Sequence, residues 1–295
     1  MGKLNLSDNE KTINAAFTSS FISRSIQMQI EQCENTEFST LFLKYLPNNQ
    51  PILEAGCGSG KWVGWFENKG WKATGLDWSE ELIKRASEEL KGSTFVCGDL
   101  REMPFPEHSF KAVVSLGSVE HSIEGPQRSI SEIERVLNYS GIAIISVPYG
   151  SRLRKVLYPF EIFYSRIAKL TFIRKLFHKQ PILGNSYKKV LMRTNKDWFP
   201  YIKLTKSGWL FYEYRFNQKQ MEHFFQSISL EIVEKLFLFK EQGILHTFGK
   251  IVGHFDYSVA QVKLNILGKI LSLILPKSLI SHHICYILKK KEEET

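Results

Sequence analysis

The sequence predicts an α/β protein built on a mostly parallel sheet with helices on both faces, and three observations carry that prediction. Strand-like and helix-like segments alternate from residue 51 to residue 147, as parallel strands joined by crossover helices require. The apolar runs VVSL at 113–116 and AIIS at 143–146 lack polar alternation, which suits strands covered on both sides. Gly56, Gly58 and Gly60 stand two apart where the first strand must turn into a helix.

The elements follow in order. A helix is expected through 13–30 in an otherwise polar start. Another spans 36–46, where Phe38, Leu41, Phe42 and Tyr45 share a face. Then come strand 51–55, helix 60–69, strand 72–77, helix 79–90, strands 93–97 and 110–116, helix 125–137 and strand 141–147. FYEYRF at 211–216 alternates like a strand, 217–227 reads as a short helix, and 230–240 and 282–291 supply two further strands. The chain thus divides into an N-terminal helical region (1–46), a core (47–149), a basic aromatic insertion (150–206), and a final part (207–295) interrupted by a second insertion at about 241–280.

Composition narrows the class. Of 295 residues, 43% are hydrophobic and 23% charged, enough for a substantial core. The N-terminus has no apolar core of a secretory signal. The apolar run 264–276 falls short of the ~20 residues of a membrane span. Four cysteines, at 33, 57, 97 and 285, form neither a CxxC nor a cluster with metal-ligand spacing. Reduced thiols in a cytoplasmic protein without a metal are expected. The net charge of +9 is concentrated: 152–196 holds twelve Lys and Arg against Glu161 alone, or 12 − 1 = +11, leaving 9 − 11 = −2 for the rest.

At the first strand–helix turn, glycines permit positive φ and let a ligand lie on the backbone. The helix N-terminus aims unpaired N–H groups into the same turn. Asp77 ends the next strand, where a carboxylate can accept from both hydroxyls of a ribose. The layout describes a nucleoside-cofactor site. A dinucleotide fingerprint would need glycine where Lys61 stands, and a P-loop fails at Ala55 and Trp62.

The pattern E-x-G-x-G-x-G at 54–60, Gly98-Asp99-Leu100, and MPFPEHSFKAVVSLGSVEHS at 103–122 together resemble the type 11 branch of the class I S-adenosylmethionine (SAM) dependent methyltransferases. The resemblance covers roughly 45–148. Lys111 departs from it, standing where the family usually has an acid, at a position that begins a strand. The resemblance implies a Rossmann-like, doubly wound, mostly parallel seven-stranded sheet with an antiparallel last strand, a mostly helical cap from the insertions, and SAM as cofactor. It further implies Glu54 toward the methionine amine, Gly56 and Gly58 under the methionyl and ribose portions, Asp99 and the Leu100 N–H at the adenine, and Leu116 beside the methionine. Trp78 is placed to stack on the adenine. His121, the one histidine of these motifs on the acceptor side, is the candidate general base.

The segment after the fourth strand, SLGSVEH, is not the D/N-P-P-Y type associated with exocyclic amines of nucleic acids. The expected acceptor is a small or amphipathic molecule methylated on oxygen or carbon: a lipid, quinone, polyketide or glycan intermediate. The bases of the first insertion are interleaved with large apolar side chains, among them Phe160, Phe163, Phe172 and Phe177. That favours a lid with peripheral contact to an anionic membrane over a nucleic-acid arm. An RNA or protein methyltransferase recruited by that insertion, and a non-catalytic SAM-binding interaction protein, are the rival readings.

Overall fold

The computed structural model describes residues 7–22, 24–167, 187–205 and 208–292. Helices α1 (Asp8–Ile22), α2 (Ile26–Cys33) and α3 (Glu37–Tyr45) lead into β1 (Pro51–Ala55), α4 (Lys61–Asn68), β2 (Lys72–Asp77), α5 (Glu80–Glu89), β3 (Thr94–Cys97), β4 (Phe110–Leu116), α6 (Gln127–Val136) and β5 (Leu137–Pro148). The first insertion follows with α7 (Arg152–Ile167), α8 (Tyr187–Leu191), β6 (Pro200–Thr205) and β7 (Gly208–Tyr214). Next are α9 (Gln218–Gln226) and β8 (Leu230–Leu238). The second insertion holds α10 (Lys240–Phe248), β9 (Gly253–Asp256), β10 (Gln261–Leu264), α11 (Ile266–Ile274) and α12 (Lys277–Ile280), before β11 (His283–Lys290).

The main sheet runs β3-β2-β1-β4-β5-β11-β8. Strands β1 to β5 pair in parallel, and β11 is antiparallel to both of its neighbours. This is the Rossmann-like sheet with one reversed strand. Alternate residues of each strand point to opposite faces, so two cores form. Leu53, Val113 and Ile145 meet Ile130 and Ile133 of α6. Ile52, Val114 and Ile144 meet Phe42 of α3 and Trp62, Trp65 and Phe66 of α4. Phe42 and Trp62 cross edge to face at 5.0 Å, the preferred geometry of aromatic pairs.

Two elements are worth setting against expectation. The helix expected through 13–30 is broken in two, α1 and α2, with Ser25 capping the second through a bond from the Met28 N–H. The strand expected at 211–216 is β7, paired antiparallel to β6 with Ile202 opposite Phe211. β7 thus belongs to a two-stranded sheet apart from the main one, while Phe211 and Tyr214, with Phe216, are buried in the core on the α6 side. Helices dominate the described parts of both insertions, and each adds a two-stranded hairpin. Residues 168–186, which carry Phe172, Phe177 and much of the predicted basic lid, lie outside the described residues. The cysteines are free thiols.

Candidate functional site

At the carboxyl ends of β1, β2 and β4, the backbone turns through three left-handed glycines: φ is +87° at Gly56, +53° at Gly58 and +78° at Gly60. A Cβ at Gly56 would lie 2.2 Å from the Ser118 hydroxyl, so both conformation and space exclude a side chain there. Gly60 is also the N-cap of α4 and offers no side-chain bond. Glu54 supplies the cap instead, its Oε2 accepting from the Val63 N–H at 3.1 Å. Burial holds the Glu54 carboxyl well above the usual range, against the lowering charge of Lys61 and the Val63 bond.

Asp77 ties the turn to β2. Its Oδ2 accepts from the Gly58 N–H at 2.8 Å, and its Oδ1 from the Ser79 N–H at 2.9 Å. The Trp78 N–H is a third backbone donor to this carboxylate, which leaves about one of its roughly four acceptor positions for a ligand. Burial raises the Asp77 carboxyl, and the Ser79 and Gly58 donors oppose it.

Asp99 is held differently. Its two oxygens accept from the Arg101 N–H at 2.8 Å, from Arg101 Nε at 3.0 and 3.1 Å, and from Arg101 Nη2 at 2.6 Å. Burial pushes its carboxyl up, but the Arg101 bonds and charge together hold it below the usual range. An adenine amino group would have to share these oxygens with the guanidinium.

The imidazole of His121 stands between Phe17 and Tyr212, with ring centroids at 4.9 and 5.6 Å. Nδ1 is 2.7 Å from the Tyr212 carbonyl oxygen and Nε2 is 3.1 Å from that of Gly117. A neutral imidazole can donate to only one of these oxygens, so the nitrogen that carries the lone pair faces the other carbonyl oxygen and finds no donor there. Glu120, His121 and Glu213 bring potential metal-ligand atoms within 4.8 Å of one another, a grouping the cysteine and histidine spacing did not suggest. Glu213 is paired with Arg215 at 3.1 Å, and each His121 nitrogen faces a carbonyl oxygen.

Glu54, Gly56, Gly58, Asp77, Trp78, Asp99, Leu100, Leu116 and His121 all line one cavity of about 450 Å³. Trp78 is half-buried there and makes no ring contact with another described aromatic residue. The sequence reading missed the opposite wall. Glu10, Asn14, Phe17 and Phe21 of α1 line it, joined by Phe38, Phe239 and Phe255. The signal was present, since 10, 14, 17 and 21 are spaced by four, three and four, one face of a helix.

The family model for a methyltransferase domain of type 11 matches residues 53–145, the span that holds the glycine turn, Asp77, Asp99 and His121. The chain carries a class I, type 11 methyltransferase domain. SAM is the cofactor of that domain, which among solved structures shares its fold with a SAM-dependent methyltransferase from Methanosarcina mazei (16% identity, TM-score 0.54, covering 86% of this chain and 98% of the other). A tRNA (carboxymethyluridine(34)-5-O)-methyltransferase of Arabidopsis thaliana is 35% identical over 108 residues, 36% of this chain and 26% of its own length. A chloroplastic 2-methyl-6-phytyl-1,4-hydroquinone methyltransferase of Oryza sativa subsp. japonica is 42% identical over 75 residues, 25% of this chain and 21% of its own length. The chain thus spans about a quarter of these curated relatives, which by their names act on very different acceptors.

Proposed function

We propose that the protein transfers the methyl group of SAM to an oxygen or carbon of a small or amphipathic acceptor. The observation that carries this reading is the composition of that cavity: cofactor-type backbone and carboxylates on the sheet side, and phenylalanines on the other. The cradle fits SAM. The acceptor position left on Asp77 suits a ribose hydroxyl, the glycine turn offers backbone without side chains, and Trp78 has a ring available to the cavity.

When bound, SAM supplies an electrophilic methyl on a cationic sulfonium. The chain's own residues then have to orient and to exclude water. Asp77 and the turn fix the nucleoside end. Glu54, buried and committed to the α4 cap, sets the turn's geometry from below. Phe17, Phe21 and Phe255 keep water from the acceptor side and favour an apolar body there. His121, fixed by the Tyr212 and Gly117 carbonyls, forms a wall of that pocket. The acceptor is accordingly one that needs no imidazole base, such as an ionised phenol or an activated carbon.

An RNA acceptor is the second reading, favoured by the +11 of residues 152–196. Calorimetry with SAM, S-adenosylhomocysteine and NAD tests the cofactor. Radiolabelled SAM incubated with total lipid, small-molecule and RNA fractions tests the acceptor. Label entering RNA alone would establish the second reading. NAD binding without SAM binding would overturn the cofactor assignment itself.

A further inference from the structure

The second insertion presents an apolar face to the outside. Helix α11 is tacked down on one side only: Gly268 is buried, with the Val252 carbonyl oxygen 2.2 Å from where a Cβ would stand. Leu271 and Leu275 pack on Ile244, Val252 and Ile280. Its opposite side is also apolar and faces solvent. Ile266 is 80% exposed, Leu267 46%, Ile270 49%, Leu273 85% and Ile274 67%. Ile251, 74% exposed, adjoins the start of this face, because its carbonyl accepts from the capping side chain of Asn265 at 2.7 Å. Tyr257 and Val259, on the same insertion, are 68% and 48% exposed.

A water-facing helix ordinarily turns polar residues outward, and a contiguous apolar patch of this kind marks an interaction surface. Charge narrows the partner. Residues 249–280 hold Lys250, Lys263, Lys269 and Lys277 against Asp256, or 4 − 1 = +3. Lys263 pairs with Asp256 and Lys277 with Glu37, whereas Lys250 and Lys269 make no ion pair among the described residues. Two copies of such a face would repel each other through these charges. An anionic lipid surface would attract it and receive its isoleucines and leucines. The nine residues of α11 rise only ~13 Å as a helix, far short of a bilayer core, so the helix would lie in the interface rather than cross.

We infer that the face formed by Ile251 and the outward side of α11 docks the protein on an anionic membrane surface. The same insertion contributes Phe255 and Ala260 to the cavity wall. Docking therefore brings the cavity to the layer where amphipathic molecules reside. The inference deepens the amphipathic-acceptor reading, and rests on it for its purpose but not for its test.

The experiment is flotation of the full chain with phosphatidylcholine vesicles, with and without roughly one-third phosphatidylserine, beside calorimetry with SAM. The wild type should float with the anionic vesicles and more weakly with neutral ones. The variant Ile270→Glu/Leu273→Glu should lose on the order of tenfold in partition, since each buried aliphatic side chain contributes strongly to insertion. SAM affinity should be unchanged, which also reports that the variant is folded. Lys250→Glu/Lys269→Glu should remove the preference for anionic lipid. A wild type that never floats overturns the inference, and so does a variant that floats undiminished, since contact then runs through another segment. A concentration-dependent dimer without flotation, dissolved by the same variant, would assign the face to a second copy. A failure of SAM binding in the wild type would instead count against the methyltransferase reading alone.

Discussion

Arg101 Nη1 donates to Glu10 Oε1 at 2.7 Å while the rest of the same guanidinium grips Asp99. One side chain thus joins the N-terminal helix to the loop after β3. Glu10 is 5% exposed, so the pair is worth little as surface charge and much as a constraint: breaking it leaves a buried carboxylate with the Ser7 N–H and hydroxyl as donors but without its opposite charge. Through this contact α1 is held where Phe17 and Phe21 can close the cavity.

Arg101→Ala should therefore destabilise the fold by about 1–3 kcal/mol and weaken SAM binding, although Arg101 is assigned no contact with the cofactor. Glu10→Gln should reproduce most of the affinity loss while leaving Asp99 paired. Thermal unfolding and calorimetry on both variants decide the matter. Wild-type affinity in Glu10→Gln would show that α1 closes the site without this tie.

Asp77→Ala removes both the anchor of the Gly58 N–H and the acceptor position assigned to the ribose. SAM affinity should fall by about 1–3 kcal/mol, the scale of lost hydrogen bonds to a buried polar ligand. Asp77→Asn keeps one oxygen and should fall between. Equal affinities for all three proteins by calorimetry would remove Asp77 from the cofactor site.

How much of this was readable beforehand divides along physical lines. The parallel sheet, the glycine turn and Asp77 were legible because local chemistry dictates them: positive φ at Gly56, Gly58 and Gly60, and apolar runs buried on both faces. Glu54 was legible as a site residue, but its cap on Val63 was not, since that bond depends on how β1 lies under α4. His121 was found by type and position, and its engagement by Tyr212 was hidden because β7 lies 91 residues away in the chain. Arg101 was not singled out, because nothing local to it signals a distant partner. Its partner Glu10 belongs to a segment whose polarity masked its helical face.

His121→Gln tests the reading of the imidazole as a wall. With a donor retained toward one carbonyl, kcat should fall less than about tenfold, whereas loss of a general base costs roughly 10²–10⁴. The measurement is single-turnover methyl transfer to whichever fraction accepts the label. A drop into the larger range would restore the base.

Acid should unfold the protein through a second histidine group. His246 and His282 stack at 4.3 Å beside Arg154, with His283 adjoining. Burial and then the Arg154 charge push His246 down to about 4 and His283 down to about 3. These rings stay neutral in the fold but take protons in the unfolded chain near the ordinary value of 6.5. Stability is then fully present above pH 6.5 and is lost as pH falls toward the folded values. Urea midpoints should decline between pH 6.5 and 5, and His283→Asn should flatten that slope. A slope unchanged in the variant would assign the acid limb elsewhere.

Glu120 should act with the opposite sign. It is 1% exposed, its Oε2 has no hydrogen-bond partner among the described residues, and burial followed by the Glu213 charge raises its carboxyl well above the ordinary 4.5. The folded state therefore holds this proton more tightly than the unfolded state does. Its contribution is fully present below pH 4.5 and is lost as pH rises through the folded value. Glu120→Gln carries no charge to desolvate and brings an amide donor toward Glu213. It should stabilise the protein by about 1–3 kcal/mol on the alkaline side, with Tm raised on the order of 2–4 °C per kcal/mol. The gain should shrink as pH falls toward 5, where the native glutamic acid is itself neutral. Melting curves of both proteins from pH 5 to 9 check the sign, and a gain that grows toward low pH would mean that Glu120 is ionised in the fold and stabilised by its surroundings.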